Sequence, residues 1–280
     1  MKIGSAVGVG QLVNLHSEDW LARQRIAGKV AAKTLSELER LVSVKSNLTT
    51  RELSEVAESV IFDHGCEPTF KGYKGHGSVP FPAAVCISVN RQVVHGVPTD
   101  YRLQEGDLVS FDLGATYQGA VADSAITCCF GEYKSKQHQD LVVGTRQALL
   151  SGIQAVVVGK RLGSIGHAVY KKAQEYNISV ITQYGGHGIS ETHDRKPMPH
   201  ATPFVANKAE PNEGIVMQKG LVIAIEPQCC IGSPKTRVGA DKWTVETEGV
   251  SAHFEHSVFL HENTVEIITL RENEDKKPIA

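Results

Sequence analysis

The sequence predicts a mixed α/β (α+β) fold built from two related halves packed as one unit. Two helix patterns followed by strand patterns occur twice along the 280 residues, and no low-complexity linker divides the two runs. No residue-level repeat accompanies the doubled order. The chain is long enough to bury a full core, and its 41% apolar and 21% charged residues are those of a soluble globular protein. Residues 1–16 are expected to form a lead-in and 17–280 a single domain.

The first half opens with Ser17 as cap of a helix from about Glu18 to Val42, whose apolar face carries Ala27, Val30, Ala31, Leu35, Leu38 and Val42. Thr49-Thr-Arg-Glu52 is a capping box, in which the two end side chains satisfy free amides at a helix start. Leu53, Val56, Ala57, Val60 and Ile61 follow at helical spacing, and Gly65 ends the run. Residues 67–82, rich in Gly and Pro, predict a loop. Strands are expected over Ala83 to Val89 and Val93 to His95. In the second half the helices span about Ser135 to Val158 and start again near Ser164; strands follow at Ile178 to Thr182, Leu221 to Ile225 and within Ser251 to Ile268.

Between the halves lies the stretch that carries chemistry. Leu108 to Leu113 and Ala120 to Thr127 predict two strands joined by a turn centred on Tyr117 and Gln118, each with one acid, Asp112 and Asp123. A hairpin folded about that centre sets the two acids opposite each other, where like charges are destabilising. A proton, a basic side chain or a metal ion must lie between them, and neither strand supplies a base. The stretch therefore predicts a metal site whose remaining ligands come from elsewhere. Glu226 ends the strand Leu221-Val-Ile-Ala-Ile, and Glu255 sits within Ser251 to Leu260. Acids on such strands are rarely buried unless paired or coordinated. Taken alone, Glu226 also fits a solvated strand end. His76, His95, His187 and His200 each stand among small or turn-forming residues, which let a ligand approach closely, whereas His256 follows Glu255 and points to the opposite sheet face.

Composition narrows the classes. Net charge is −2 with Lys and Arg dispersed, so no basic face for nucleic acid shows itself. No run of 18 apolar residues forms a membrane span. The start, Met1-Lys2 followed by Ile3 to Val13, lacks a small-x-small cleavage site and reads as mature chain. Cys66, Cys86, Cys128, Cys129, Cys229 and Cys230 form neither a disulfide framework nor a C-x-x-C zinc site, which predicts reduced thiols in the cytoplasm.

These fragments, in this order, resemble the methionine aminopeptidases of the short bacterial type I form over about residues 17–270. The carriers are Cys86-Ile-Ser-Val-Asn90 with Val94-His95-Gly-Val-Pro98; Gly106-Asp-Leu-Val-Ser-Phe-Asp112 with Asp123; Gly186-His187-Gly-Ile189; Ile225-Glu226-Pro227; and Phe254-Glu255-His256. The resemblance implies the pita-bread fold, two pseudo-symmetric halves around a curved antiparallel sheet. It implies that Asp112, Asp123, His187, Glu226 and Glu255 hold two divalent metals, Asp123 and Glu255 bridging, Asp112 completing one ion and His187 with Glu226 the other. Four carboxylates balance the charge of two such ions, and the oxygen-rich set suits Mn, Fe or Co. Glu226 would move a proton, while His95 and His200 would meet the substrate backbone.

The chain is longer than the family spacing through Ser190 to Pro199, so either His193 or His200 fits as the second histidine; His200-Ala-Thr-Pro-Phe-Val-Ala-Asn207 favours His200. Phe81, Cys86 and Trp243 are the expected pocket walls, with Ser78 standing about where many members have an aromatic. The expected substrates are N-termini of nascent polypeptides near the ribosome with a small second residue, cleaved by a monomer. An Xaa-Pro peptidase of the same fold, a non-catalytic binding module derived from it and a purely structural dimetal site are the competing readings.

Overall fold

The structure, a computed structural model, describes residues 15–74, 79–191, 194 and 196–274. In the first half α1 (Glu18–Ser43) starts where the Ser17 hydroxyl accepts from the Trp20 amide, and α2 (Thr50–Asp63) starts with both halves of the capping box formed. The strands β1 (Glu67–Pro68), β2 (Cys86–Val89), β3 (Gln92–Val94), β4 (Leu108–Tyr117) and β5 (Ala120–Cys129) follow. The second half repeats the order with α3 (Lys136–Gln154) and α4 (Gly163–Glu175), then β6 (Ser179–Val180), β7 (Gly186–Glu191), β8 (Pro197–Val205), β9 (Val222–Ile225) and β10 (Gln228–Cys230). The short strands β11 (Thr236–Val238), β12 (Val245–Thr247) and β13 (Ser251–His253) lead into β14 (Glu255–Leu260) and β15 (Val265–Ile267).

Nine strands form one curled antiparallel sheet in the order β1-β4-β5-β14-β9-β7-β8, with β2 also on β4 and β15 on β14. The strands of the first half and those of the second thus form two blocks of a single sheet, joined where β5 pairs with β14. The helix α1 packs on β4 and β5, and its Leu21, Leu35 and Leu38 join Phe111, Leu113, Val258 and Phe259 in the core.

The hairpin differs from its expected register. Its turn is Gln118-Gly119, both with positive φ (46° and 83°), which is the signature of a two-residue type I′ connection. Tyr117 pairs with Ala120, so Asp112 faces Ala125 and Asp123 faces Gly114. The two acids are diagonal neighbours on one face, not opposed partners. Three smaller differences accompany this: Glu67–Pro68 is a strand rather than loop, α3 ends at Gln154 rather than Val158, and the β7–β8 hairpin was not foreseen. Its glycines explain its fit. A Cβ on Gly186 would meet the Ala224 carbonyl oxygen at 2.1 Å, and one on Gly188 the Thr202 carbonyl oxygen at 2.1 Å. Only glycine lets β7 pass this closely between its neighbours.

Behind the sheet, His256 indeed faces away from Glu255: its Nδ1 lies 2.9 Å from Thr269 Oγ1 and its Nε2 3.5 Å from Glu274. Glu274 also pairs with the buried Arg271 and lies 3.8 Å from Arg146. Burial pushes the Glu274 carboxyl up, but the hydrogen bond to His256 and the nearby positive charges outweigh it and bring its pKa down to about 2 from 4.5. A depressed carboxylate contributes stability that is full above its unfolded pKa and is lost as pH falls through its folded one. Glu274→Gln is therefore expected to lower stability at pH 7 by on the order of 3 kcal/mol. The gap to wild type should close between about pH 4.5 and pH 2, as read by denaturant melts across that range.

Candidate metal centre

Four strands, β4, β5, β14 and β7, and the residue that follows β9, Glu226, bring the five expected ligands together across adjacent positions of the sheet. Asp112 and Glu255 both oppose Ala125, and Asp123 lies two residues from Ala125 on its strand, so all three share a face. His256 opposes Ile225, which leaves Glu226 one position on beside Glu255. His187 sits on β7 where the ladder to β8 is irregular, a place where bulges re-aim side chains.

The ligand atoms converge. Asp112, Asp123 and Glu255 offer oxygens within 4.8 Å of one another, and His187, Glu226 and Glu255 form a second such group, with Glu255 common to both. His187 Nε2 lies 3.4 Å from Glu226 Oε1 and 4.0 Å from Glu255 Oε1. Asp123 and Glu255 are 1% and 2% exposed, and Asp123 Oδ1 and Glu255 Oε1 have no hydrogen-bond partner among the described residues. Buried carboxylate oxygens without a donor carry the full cost of desolvation. Burial, with the neighbouring acids, pushes the carboxyls of Asp112, Glu226 and Glu255 well above their ordinary values, and burial raises Asp123. Burial and the charge of His200 lower His187 to about 3, so it is a neutral imidazole, the form that ligates metal. The orphaned oxygens, the acid-rich donor set and the neutral histidine fit divalent cations.

The centre forms the floor of a cavity of about 660 Å³. Phe81 and Cys86 are buried in its wall with Phe70 and packed by Trp243, whose ring meets Phe81 edge-on at 5.4 Å. His95 lines it with φ +57°, a left-handed backbone that a non-glycine residue adopts only when its surroundings impose it. Burial and the charge of His200 lower its pKa to about 4, leaving it neutral. His200 also lines the cavity, 4.6 Å ring to ring from His187, with its Nδ1 3.0 Å from the Tyr73 hydroxyl. The structure thus brings together all the expected site residues, and Glu226, half-buried, is no solvated strand end. His76, Ser78 and His193 lie outside the described residues.

Three features were missed from sequence. Tyr73 and Phe70 add aromatic wall to the cavity from a segment read as loop. Gln228 donates to Glu226 Oε2 at 2.6 Å. His253 is buried with Nε2 3.4 Å from that same oxygen. For Tyr73 the signal available was its glycine-framed setting, Gly72-Tyr73-Lys74-Gly75, which resembles that of the histidines.

Comparison with known proteins agrees with this geometry. The model of metallopeptidase family M24 matches residues 22–262. A methionine aminopeptidase of Mycoplasma capricolum is 35% identical, over 93% of this chain and 100% of that protein. The crystal structure of methionine aminopeptidase from Rickettsia prowazekii superposes with a TM-score of 0.84 at 32% identity, covering 92% of this chain and 100% of that one. A prolidase from Pyrococcus furiosus, at 20% identity and a TM-score of 0.68, shares the fold alone and extends beyond it, since this chain covers 66% of it. The curled sheet with its doubled halves is the pita-bread fold, and the chain belongs to metallopeptidase family M24.

Proposed function

We propose that this chain is a metallo-aminopeptidase that removes N-terminal methionine from polypeptides whose second residue is small. The observation that carries this reading is the pair of orphaned, buried carboxylate oxygens at the floor of an apolar, aromatic-walled cavity. The relatives named methionine aminopeptidase, matched over 92–93% of this chain and all of theirs, support it. The centre would hold two divalent ions of Mn, Fe or Co type: Asp123 and Glu255 would serve both, Asp112 would complete one site, and His187 with Glu226 the other. When bound, such ions supply Lewis acidity toward the first peptide carbonyl and make a water acidic enough to lose a proton at neutral pH.

The protein's own groups do the rest. Phe70, Phe81, Cys86 and Trp243 enclose the methionine side chain, for which soft, apolar contacts suit an unbranched thioether. Trp243 is held in place by its Nε1 donating to the Val79 carbonyl at 3.1 Å. His95, kept neutral by burial, and His200 both line the cavity and are assigned to the backbone of the bound peptide. The Tyr73 hydroxyl engages Nδ1 of His200 and so fixes that ring's orientation. Glu226, at the floor of the cavity, is assigned the transfer of the water proton to the leaving amine. Substrates are nascent-chain N-termini close to the ribosome, met by a cytoplasmic monomer. Among the described residues no helix is long and apolar enough to cross a membrane.

His95→Ala is expected to cut turnover by on the order of 10²–10⁴ while leaving metal binding nearly intact, the range for a positioned proton-transfer group. His200→Ala should behave likewise and His193→Ala should not; steady-state kinetics with calorimetry decide, and damage confined to His193→Ala would reassign the second histidine.

Specificity offers an independent check. From sequence, Ser78 suggests a wide pocket that rejects leucine weakly; in the structure Tyr73 lines the cavity with an aromatic ring. A contact difference of about one methylene is worth about 1–3 kcal/mol, or roughly 10–200-fold. Met-Ala-Ser should therefore be cleaved faster than Leu-Ala-Ser by a factor in that range, and Met-Lys-Ser poorly. Fast cleavage of Ala-Pro-Ser with none of Met-Ala-Ser would replace the methionine reading with an Xaa-Pro one.

A further inference from the structure

Behind Glu226 lies a relay of two buried amides. Asn207 is 2% exposed and Gln228 is 0% exposed, so neither amide exchanges partners with solvent. Asn207 Nδ2 donates to the backbone carbonyl of Glu226 at 3.1 Å and to Gln228 Oε1 at 2.8 Å. Gln228 Nε2 in turn donates to Glu226 Oε2 at 2.6 Å. The orientation of every amide in this chain is determined. A backbone carbonyl only accepts, so Asn207 must present its NH₂ group to it. That same group then meets the oxygen of Gln228, and the Gln228 NH₂ is left facing the carboxylate. The other histidine near this oxygen, His253, lies 3.4 Å away without forming a hydrogen bond among the described residues.

We propose that Asn207 and Gln228 are positioning residues that commit one oxygen of Glu226 and leave the other as its single working atom. The uncommitted Oε1 is the one 3.4 Å from His187 Nε2, on the side of the proposed ion. With Oε2 held by a neutral donor, Glu226 would offer Oε1 as its preferred ligand atom. A carboxylate held in that way would keep a fixed orientation toward the ligand cluster. The relay acts through Glu226 and touches no substrate. Partners of this kind, which orient metal ligands from behind, are worth about 10–100-fold in metal affinity or activity. The proposal rests on the metal-centre reading given above.

The test is calorimetric titration of metal-free protein with Mn(II), paired with kcat and KM on Met-Ala-Ser. Gln228→Met keeps side-chain length and volume and removes the donor. It should weaken binding of the weaker ion about 10- to 100-fold and lower kcat by a comparable factor, with KM changed less than about twofold. Gln228→Asn retains an amide but falls one methylene short, and should show the same split; it decides the matter if Gln228→Met does not fold. Wild-type ion affinity and kcat in a folded variant would overturn the relay while leaving the metal centre standing, as would a loss of thermal stability alone. Absence of Mn(II) binding by the wild type would instead overturn the metal-centre reading, and the relay with it.

Discussion

Mutual repulsion among four carboxylates on one sheet face is the constraint around which the rest is arranged. Asp112, Asp123 and Glu255 are nearly fully buried, and their oxygens approach within 4.8 Å. At that separation each like-charge pair costs about 3–4 kcal/mol in a medium of effective dielectric 20. Protonation removes the repulsion at the expense of the ligand set; divalent cations would remove it and retain the ligands. The core must supply the stability that this face subtracts, and the layer of α1 against β4 and β5 does so with closely packed Leu and Phe side chains.

The sheet order makes such a face possible. Because β5 of the first half pairs with β14 of the second, acids from both halves meet at the seam. Ser257 ties that seam, its hydroxyl donating to the Asp123 carbonyl at 2.7 Å and accepting from the Asp123 amide at 2.8 Å. Ser124 adds a bond to the Glu255 carbonyl at 2.8 Å. These bonds tie the backbone at Asp123 and Glu255 to each other across the seam. Rigidity of this kind is what a preorganised electrostatic site requires.

Much of this was legible in the sequence, for identifiable reasons. Helices α1 and α2 carry their own start signals at Ser17 and in the Thr49–Glu52 box, so local chemistry determines them. Acids on apolar strands contradict burial, and that contradiction pointed to Asp112, Asp123 and Glu255 before any fold was known. The hairpin register was misplaced because the turn was centred on Tyr117-Gln118, one residue early; Gln118 is unusual at positive φ, and Gly119 alone signalled the turn. The β7–β8 hairpin was illegible because glycine and proline dominate it, and close packing between neighbouring strands holds it rather than local propensity. Contacts far apart in sequence were hidden for the same reason. Tyr73 and His200 are separated by 127 positions, and Asn207 reaches Gln228 across a strand connection.

In the proposed centre Glu255 and Asp123 would each serve two ions at once. The most direct test of this assignment is calorimetric titration of metal-free wild type, Asp123→Ala and Glu255→Ala with Mn(II), with elemental analysis of the loaded proteins. The account predicts two ions per chain in the wild type and weakened binding of both in either variant, together with loss of methionine release. Two ions bound at unchanged affinity by Asp123→Ala or Glu255→Ala would contradict it.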